Sequence, residues 1–173
     1  IIESAFQSAG QRCSALRCLY VQEDIADGLI EMLTGAMKEL HVGNPWNLHT
    51  DSGPVIDTEA QASIAAHIAQ AEAEGRVMYQ LEVPQTGTFI APTLIRVDGI
   101  ADLEREIFGP VLHVATFGAT ELDDVIDAIN ATGYGLTFGL QTRIDDRVQH
   151  VSDRIHAGNI YVNRNQIGAI VGS

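Results

Sequence analysis

Apolar residues recur along the chain at two spacings, and each spacing predicts one kind of element. Apolar positions three or four residues apart, with polar residues between them, indicate helices that bury one face. Short uninterrupted apolar runs indicate strands of the kind buried in a parallel sheet. We therefore predict helices at residues 24–40, 58–75, 120–131 and 145–156, and strands at residues 17–21, 77–81, 89–97, 111–117, 136–142 and 159–163.

The order of these elements predicts the fold class. Alternating strands and helices are typical of an α/β protein with an open, mostly parallel sheet flanked by helices and right-handed crossovers. Functional residues of such sheets gather in loops at the carboxyl ends of strands, here after Val97, Phe117 and Val162. Residues 1–11 indicate the end of a helix closed by Gly10, and Pro92 predicts an edge position or a bend in its strand.

Composition narrows the class of protein. The 173 residues are 46% hydrophobic and 19% charged, which is sufficient for one domain with a substantial core. A formal net charge of −13 argues against binding to nucleic acid or to an anionic membrane surface. No apolar run approaches the roughly 20 residues of a membrane span. Two cysteines without a disulfide framework, Cys13 and Cys18, fit a reducing compartment, so we predict a cytoplasmic protein.

The beginning of the chain predicts that it is part of something longer. There is no initiating methionine, and Ile1, Ala5 and Phe6 already stand at helical spacing. We therefore expect residues 1–173 to be one domain of a larger protein.

Cys13 is the leading candidate for chemistry. It lies between small residues, follows Gly10, and has Arg12 and Arg17 nearby in an otherwise acidic chain. A nucleophilic cysteine requires a lowered pKa, steric access and N–H groups aimed at the developing oxyanion, and the sequence suggests the first two. The alternative is a small buried hydrophobe, since most cysteines are of that kind.

Two further segments are candidate binding sites. Glu106 and Phe108 stand two residues apart beside a Gly-Pro turn, so a carboxylate for a ribose diol and a ring for a flat heterocycle would face one cleft. The alternative is a solvated glutamate next to a core phenylalanine. The polar residues 163–166, followed by small residues, are either a carboxylate-binding loop or an ordinary solvated one.

The other chemistry-bearing residues favour structural roles. The six histidines show no paired spacing typical of zinc, and no phosphate-binding glycine motif or Gly-x-Ser-x-Gly elbow is present. Cys18 lies in an apolar strand, which predicts a buried and inert thiol. His113 also lies in a strand, and we interpret it as a satisfied core or surface histidine.

Five motifs, taken together, resemble the aldehyde dehydrogenase superfamily in order and spacing across essentially the whole chain. The motifs are Gly10-Gln11-Arg12-Cys13, Gly53-Pro54, Glu106-Ile107-Phe108-Gly109-Pro110, Tyr134-Gly135-Leu136 and Gly158-Asn159-Ile160-Tyr161-Val162-Asn163. More narrowly, the segments around Cys13 and Asn163 resemble the 1-pyrroline-5-carboxylate (glutamate semialdehyde) dehydrogenase domains of bifunctional proline-utilisation proteins.

The resemblance implies a role for each matching residue. Cys13 is expected to attack the aldehyde substrate, giving a thiohemiacetal and then a thioester, and its N–H to form part of the oxyanion hole. Glu106 is expected to hold the nicotinamide ribose of NAD, with Phe108 beside the nicotinamide. Ser14 and the loop Gly168-Ala169 are expected to anchor the substrate carboxylate.

The resemblance also implies what these residues do not contain. The family's general-base glutamate, its oxyanion-hole asparagine and most of its dinucleotide-binding domain are expected upstream of Ile1, and its oligomerisation segment downstream of Ser173. We therefore expect this piece to be inactive alone and to act within a homo-oligomeric full-length enzyme. FAD would belong to a separate proline dehydrogenase domain.

Two other interpretations stay open. Another semialdehyde dehydrogenase, for succinate semialdehyde for instance, would share Cys13 and the segment at residues 106–110. Alternatively, the domain is a folded, non-catalytic interaction module whose edge strands favour self-association.

Overall fold

The computed structural model describes residues 1–169, which form five α-helices and six strands. The helices are α1 (Ile2–Phe6), α2 (Glu23–Lys38), α3 (Thr58–Ala73), α4 (Leu122–Ala131) and α5 (Asp145–Arg154). The strands are β1 (Cys18–Gln22), β2 (Val77–Gln80), β3 (Thr93–Arg96), β4 (Val111–Phe117), β5 (Thr137–Leu140) and β6 (Asn159–Val162). The residues 170–173 of the predicted domain lie outside the described part.

The strands form two sheets. Strands β1, β4, β3 and β2 make a sheet in that spatial order, with β1, β4 and β3 parallel and β2 antiparallel at the edge. Strands β5 and β6 pair with each other in parallel. The predicted α/β fold with a mostly parallel sheet is confirmed. The observed fold differs from the predicted single sheet in one respect: within residues 1–169, β5 and β6 form a separate two-stranded sheet.

Strand β4 is buried on both faces over its first five residues, which explains its largely apolar sequence. Neighbouring residues of a strand point to opposite sides of the sheet. On one side, Leu112 belongs to a core cluster that includes Phe6 of α1 and Met37 of α2. On the other side, Val111 belongs to a cluster that includes Ile64 of α3. The helices therefore cover both faces of the four-stranded sheet, as the continuous apolar run predicts.

The two-stranded sheet of β5 and β6 packs against a hydrophobic cluster of its own. Helices α4 and α5 contribute the buried residues Ile126 and Val151, and Ile155 follows directly after α5. Strands β5 and β6 pack the partly buried side chains of Phe138, Leu140 and Ile160 against them. Within residues 1–169, no helix combines the length and the apolar character that crossing a bilayer requires.

Several predicted boundaries shift for identifiable reasons. The first helix ends at Phe6, not at Gly10, because Ser8 and Ala9 have positive φ angles of 55° and 54°. The strand predicted at residues 89–97 is confined to β3, which begins directly after Pro92, a residue that has no N–H to donate. Strand β3 is internal and β2 is the edge strand, so the edge position expected for the Pro92 strand is wrong.

Candidate active site

Two candidate segments lie at the same end of the four-stranded sheet. They are the cysteine loop, residues 10–17, and the acidic-aromatic segment, residues 106–110. The first precedes β1 and the second precedes β4. Because β1 and β4 are parallel, with Cys18 opposite His113, their amino ends meet. Both candidate segments therefore lie at the amino ends of their strands, and not at the carboxyl ends where functional loops were expected. Of the three loops favoured from the sequence, the one after Val162 meets the cysteine loop.

Cys13 occupies an exposed position in a tight turn of the cysteine loop. The turn is closed by the Ala15 N–H, which donates to the Arg12 carbonyl oxygen at 3.1 Å. The Leu16 N–H donates to the Ser4 carbonyl at 2.8 Å and holds the loop on α1. Within residues 1–169, no acceptor lies within hydrogen-bonding distance of the Cys13 N–H. An accessible sulfur thus stands beside a backbone donor that is available to an external oxygen.

Glu106 and Phe108 are exposed, and between them Ile107 is buried in the core. The side chain of Ile107 anchors the acidic-aromatic segment, so that its two neighbours remain on the surface. Both neighbours contact Arg17: its Nε donates to Glu106 Oε1 at 3.0 Å, and its Cζ lies 4.6 Å from the centre of the Phe108 ring. The predicted shared orientation of Glu106 and Phe108 therefore appears as a common contact with one guanidinium.

Arg17 also reaches the backbone of the cysteine loop. Its Nη1 donates to the Gly10 carbonyl at 2.6 Å, and its Nη2 donates to the Arg12 carbonyl at 3.1 Å. Burial lowers the pKa of the Arg17 guanidinium from its ordinary value, whereas the Glu106 carboxylate and the charge of a Cys13 thiolate oppose this shift. One cation is therefore coupled to the thiol and to the carboxylate.

Ser14 is buried beside Cys13 and joins the cysteine loop to the loop after β6. Its Oγ accepts a hydrogen bond from the Gly168 N–H at 3.0 Å. Its carbonyl oxygen accepts from the hydroxyl of Thr137 at 3.3 Å and from the side-chain amide of Gln166 at 3.4 Å. The predicted carboxylate-anchoring residues Ser14 and Gly168 are therefore neighbours, although they are 154 positions apart.

The loop after β6 has further attachments. Its Asn165 amide donates to the Glu3 carboxylate at 2.6 Å, and the Tyr161 hydroxyl donates to the Gly168 carbonyl. Gly168 has a φ of 92°, a conformation that favours glycine. Ala169, the other predicted anchoring residue, is half-buried and is the last residue described.

Comparison with known proteins decides the family of this chain. The model of the aldehyde dehydrogenase family matches residues 1–172. The chain belongs to the aldehyde dehydrogenase family.

Relatives with known names place this aldehyde dehydrogenase chain more narrowly. It is 52% identical to the bifunctional protein PutA of Salmonella typhimurium over 99% of the chain and 14% of that protein. It is 39% identical to 1-pyrroline-5-carboxylate dehydrogenase 1 of Halalkalibacterium halodurans, again over 99% of the chain, and covers 34% of that protein. The chain thus spans about a seventh of the PutA relative and about a third of the dehydrogenase relative.

Solved structures agree with these relatives. A crystal structure of the proline utilization A mutant D779W from Bradyrhizobium japonicum matches with a TM-score of 0.94 and 50% identity, covering 99% of this chain and 18% of that one. A 1-pyrroline-5-carboxylate dehydrogenase from Thermus with bound NAD matches with a TM-score of 0.88 and 30% identity, covering 99% of this chain and 33% of that one. Their similarity confirms the predicted aldehyde dehydrogenase fold.

The second thiol of this aldehyde dehydrogenase chain differs from Cys13 in its surroundings. Cys18 is half-buried in β1, and burial, assisted by the charge of Asp102, raises its pKa to about 12. It is therefore protonated near neutral pH, in agreement with the interpretation of an inert thiol.

His113 is buried in the sheet and has a partner for each ring nitrogen. Its Nδ1 lies 3.0 Å from the Arg17 carbonyl oxygen, and its Nε2 lies 2.8 Å from Nε2 of His67 on α3. Since a carbonyl only accepts, Nδ1 carries the proton and Nε2 accepts from His67. Burial lowers the pKa of His113 to about 4. The interpretation of a satisfied core histidine agrees with this geometry. Within residues 1–169, no group of three or more possible metal ligands occurs.

Sequence reasoning missed the contacts that join the aldehyde dehydrogenase motifs. It noted Arg17 only as a positive charge near the thiol, and it assigned no part to Thr137 or His67. The motif order placed Arg17 and Glu106 in separate segments, 89 positions apart. Their opposite charges within two family motifs are the one signal that pointed to this contact.

Proposed function

We propose that these residues form the catalytic-cysteine region of a longer, NAD-dependent dehydrogenase that oxidises L-glutamate 5-semialdehyde to L-glutamate in proline catabolism. The observation that carries the proposal is the position of Cys13. Its loop contacts the acidic-aromatic segment through Arg17 and the loop after β6 through Ser14. The names of the PutA and 1-pyrroline-5-carboxylate dehydrogenase relatives support this substrate.

Cys13 supplies the nucleophile. Its thiolate attacks the aldehyde carbon, and the carbonyl oxygen becomes the oxyanion of a thiohemiacetal. The Cys13 N–H, which has no acceptor within residues 1–169, donates to this oxyanion. Loss of hydride from the same carbon leaves a thioester on Cys13. Attack by water then releases the carboxylic acid and returns the Cys13 thiol, which loses its proton before the next turnover.

The acidic-aromatic segment fits NAD. Within the described residues, Arg17 is the hydrogen-bond partner of the Glu106 carboxylate, through Oε1. Oε2 is therefore available to accept hydrogen bonds from ribose hydroxyls, and the exposed Phe108 ring supplies a flat wall. NAD, when bound, accepts the hydride that leaves the substrate carbon. Glu106 would hold its ribose hydroxyls, and Phe108 would lie beside its nicotinamide.

Ser14 and Gly168 fit the substrate carboxylate. The hydroxyl of Ser14 and the N–H of Gly168 are two donors only 3.0 Å apart. A carboxylate that enters between them accepts from both and replaces the hydrogen bond that they now share. Ala169 follows directly, and its N–H would be a third donor. A substrate with a carboxylate at the end opposite its aldehyde is therefore favoured over a simple aldehyde.

The test uses the full-length enzyme that carries this sequence. Formation of NADH from L-glutamate 5-semialdehyde is measured for the wild type, Cys13→Ala and Cys18→Ala. We expect Cys13→Ala to lower kcat by at least about a thousandfold, whereas Cys18→Ala retains the wild-type rate. The same assay with succinate semialdehyde separates the alternative substrate. A higher kcat/KM for succinate semialdehyde, or an active Cys13→Ala variant, would overturn the proposal.

Three further expectations belong to the whole protein. We infer a cytoplasmic enzyme, because both cysteines are free thiols. We also infer a homo-oligomer, as the family resemblance implies. FAD would act in a separate proline dehydrogenase region, which the word bifunctional in the name of the PutA relative supports.

A further inference from the structure

Arg17 contacts five groups that belong to two different segments. From the cysteine loop it binds the carbonyl oxygens of Gly10 and Arg12. From the acidic-aromatic segment it binds the Glu106 carboxylate and lies over the Phe108 ring, and its Nη1 is 3.4 Å from the Gly109 carbonyl. The planar fork of a guanidinium, with five N–H donors, serves several acceptors at once, which an ammonium group cannot do in the same geometry.

The bond to the Arg12 carbonyl has a consequence for the Cys13 N–H. These two groups belong to the same peptide unit, which is planar and trans. The carbonyl and the N–H of a trans peptide point in opposite directions. Nη2 of Arg17 and the Ala15 N–H both hold the Arg12 carbonyl, so Arg17 helps to fix the direction of the Cys13 N–H, which points away from the guanidinium. This N–H is the donor that the proposed oxyanion hole uses.

The bond to Glu106 has a parallel consequence for the cofactor. Glu106 is exposed, and an exposed carboxylate would otherwise sample several rotamers. Arg17 Nε binds Oε1 at 3.0 Å and leaves Oε2 available. The guanidinium that lies over Phe108 also adds a cation–π contact to the same segment. The side-chain atoms of Arg17 are mostly covered, with 14% exposure, so this contact is more than a surface ion pair.

We propose that Arg17 is a positioning residue that sets the oxyanion donor of Cys13 and the NAD-facing carboxylate of Glu106 at the same time. The proposal rests on the proposed function of this site. Arg17 acts through the two segments and touches neither substrate nor cofactor. It makes the orientation of the nucleophile loop and that of the cofactor segment depend on one another.

The experiment compares Arg17→Met and Arg17→Lys in the full-length enzyme with two separate measurements. The first is the Kd for NAD by calorimetry, which reports the effect of Arg17 on Glu106. The second is hydrolysis of p-nitrophenyl acetate in the absence of NAD. This ester acylates the Cys13 thiol, so its hydrolysis reports the effect of Arg17 on the cysteine loop. We expect Arg17→Met to raise the Kd and to slow ester hydrolysis, each by about tenfold, because both Glu106 and the cysteine loop lose charge-assisted hydrogen bonds.

Arg17→Lys separates the effect of the planar guanidinium donors from the effect of the positive charge. A lysine at this position retains an ion pair with Glu106 but cannot bridge the two carbonyls of the cysteine loop. We expect it to recover most of the NAD affinity and little of the ester hydrolysis. A role confined to stability would lower the thermal midpoint of both variants and leave the two measurements of the folded enzyme unchanged. Arg17→Lys also serves where Arg17→Met does not fold.

A double-mutant cycle tests whether Arg17 acts through Glu106. If it does, the variant that combines Arg17→Met with Glu106→Gln binds NAD no more weakly than Glu106→Gln alone. The matched control is Arg76→Met, which removes a surface arginine paired with Glu74. It should leave both measurements at wild-type values.

The outcomes separate this proposal from the proposed function. Wild-type NAD affinity and ester hydrolysis in Arg17→Met, or additive losses in the double variant, would overturn the role of Arg17 alone, provided that Glu106→Gln and Cys13→Ala are defective. Normal dehydrogenase activity in Glu106→Gln and Cys13→Ala would instead overturn the proposed function, and the role of Arg17 with it.

Discussion

Gly10 and Gly109 meet backbone to backbone, and neither position has room for a side chain. A Cβ atom at Gly10 would overlap the carbonyl group of Gly109, and Gly10 has a φ of 65°, which disfavours other residues. A Cβ at Gly109 would lie 2.5 Å from the Ile64 side chain. The missing side chain of Gly10 therefore lets the cysteine loop touch the acidic-aromatic segment, whereas that of Gly109 leaves room for Ile64 of α3. The contact between the two segments brings Arg17 within reach of both.

We expect Gly10→Ala to destabilise the fold by about 2–4 kcal/mol, because it adds left-handed strain to a clash with backbone that cannot move aside. The thermal midpoint of the full-length enzyme measures this. The matched control is Gly35→Ala in α2, where an added Cβ meets nothing within 4 Å. That variant should gain about 0.5–1 kcal/mol from the higher helix propensity of alanine. Equal effects of the two substitutions would contradict the proposed backbone contact.

The apolar pattern predicted the elements of the fold well and their arrangement less well. Strand β4 was recognisable because its first five residues are buried and its sequence is largely apolar. Of the two alternatives that Pro92 indicated, an edge position or a bend, the edge position is wrong, because strand order depends on contacts between segments that the local pattern does not contain. The positive φ angles of Ser8 and Ala9 were also unpredictable, since neither residue type favours them.

The candidate site was predictable as a set of motifs and not as a geometry. The family resemblance indicated Cys13, Glu106 and Ser14 individually. The pairing of the amino ends of β1 and β4, which unites the first two, follows from the sheet register. Contacts such as that of Ser14 with Gly168, 154 positions apart, require the fold.

Ser14→Ala should weaken binding of the substrate carboxylate. The variant loses the hydroxyl donor and the acceptor that holds the Gly168 N–H, so the loop after β6 also loses an anchor. We expect KM for L-glutamate 5-semialdehyde to rise by about tenfold or more. An uncharged aldehyde of similar length, such as butanal, is the matched control, because it has no carboxylate to bind. A proportional loss for both substrates would argue that Ser14 does not contact the carboxylate.

The two thiols should react at very different rates. At pH 8, we expect iodoacetamide to label Cys13, which is exposed, and to spare Cys18, whose raised pKa of about 12 keeps it protonated. Mass spectrometry of peptides from the labelled enzyme checks this, with Cys13→Ala and Cys18→Ala as the matched pair. In 6 M guanidinium chloride both cysteines should react. Rapid labelling of Cys18 in the folded enzyme would show that β1 opens readily.

His113 should make the fold sensitive to acid. Because burial lowers its pKa to about 4, against an ordinary value of 6.5, the folded protein keeps this ring neutral where the unfolded chain binds a proton. The resulting loss of stability begins as the pH falls below about 6.5 and reaches about 3 kcal/mol near pH 4. The pKa of His67 is also lowered, mainly by burial, which acts in the same direction.

The test follows the thermal midpoint of His113→Asn and of the wild type between pH 7 and pH 4.5. Asparagine retains a donor for the Arg17 carbonyl but does not titrate, so its midpoint should fall less steeply with acid. The difference between the two proteins should therefore shrink as the pH decreases. His156→Asn, which replaces an exposed ring, is the matched control and should run parallel to the wild type. A parallel course for His113→Asn as well would mean that the pKa of His113 is not lowered in the folded protein, and would contradict this prediction.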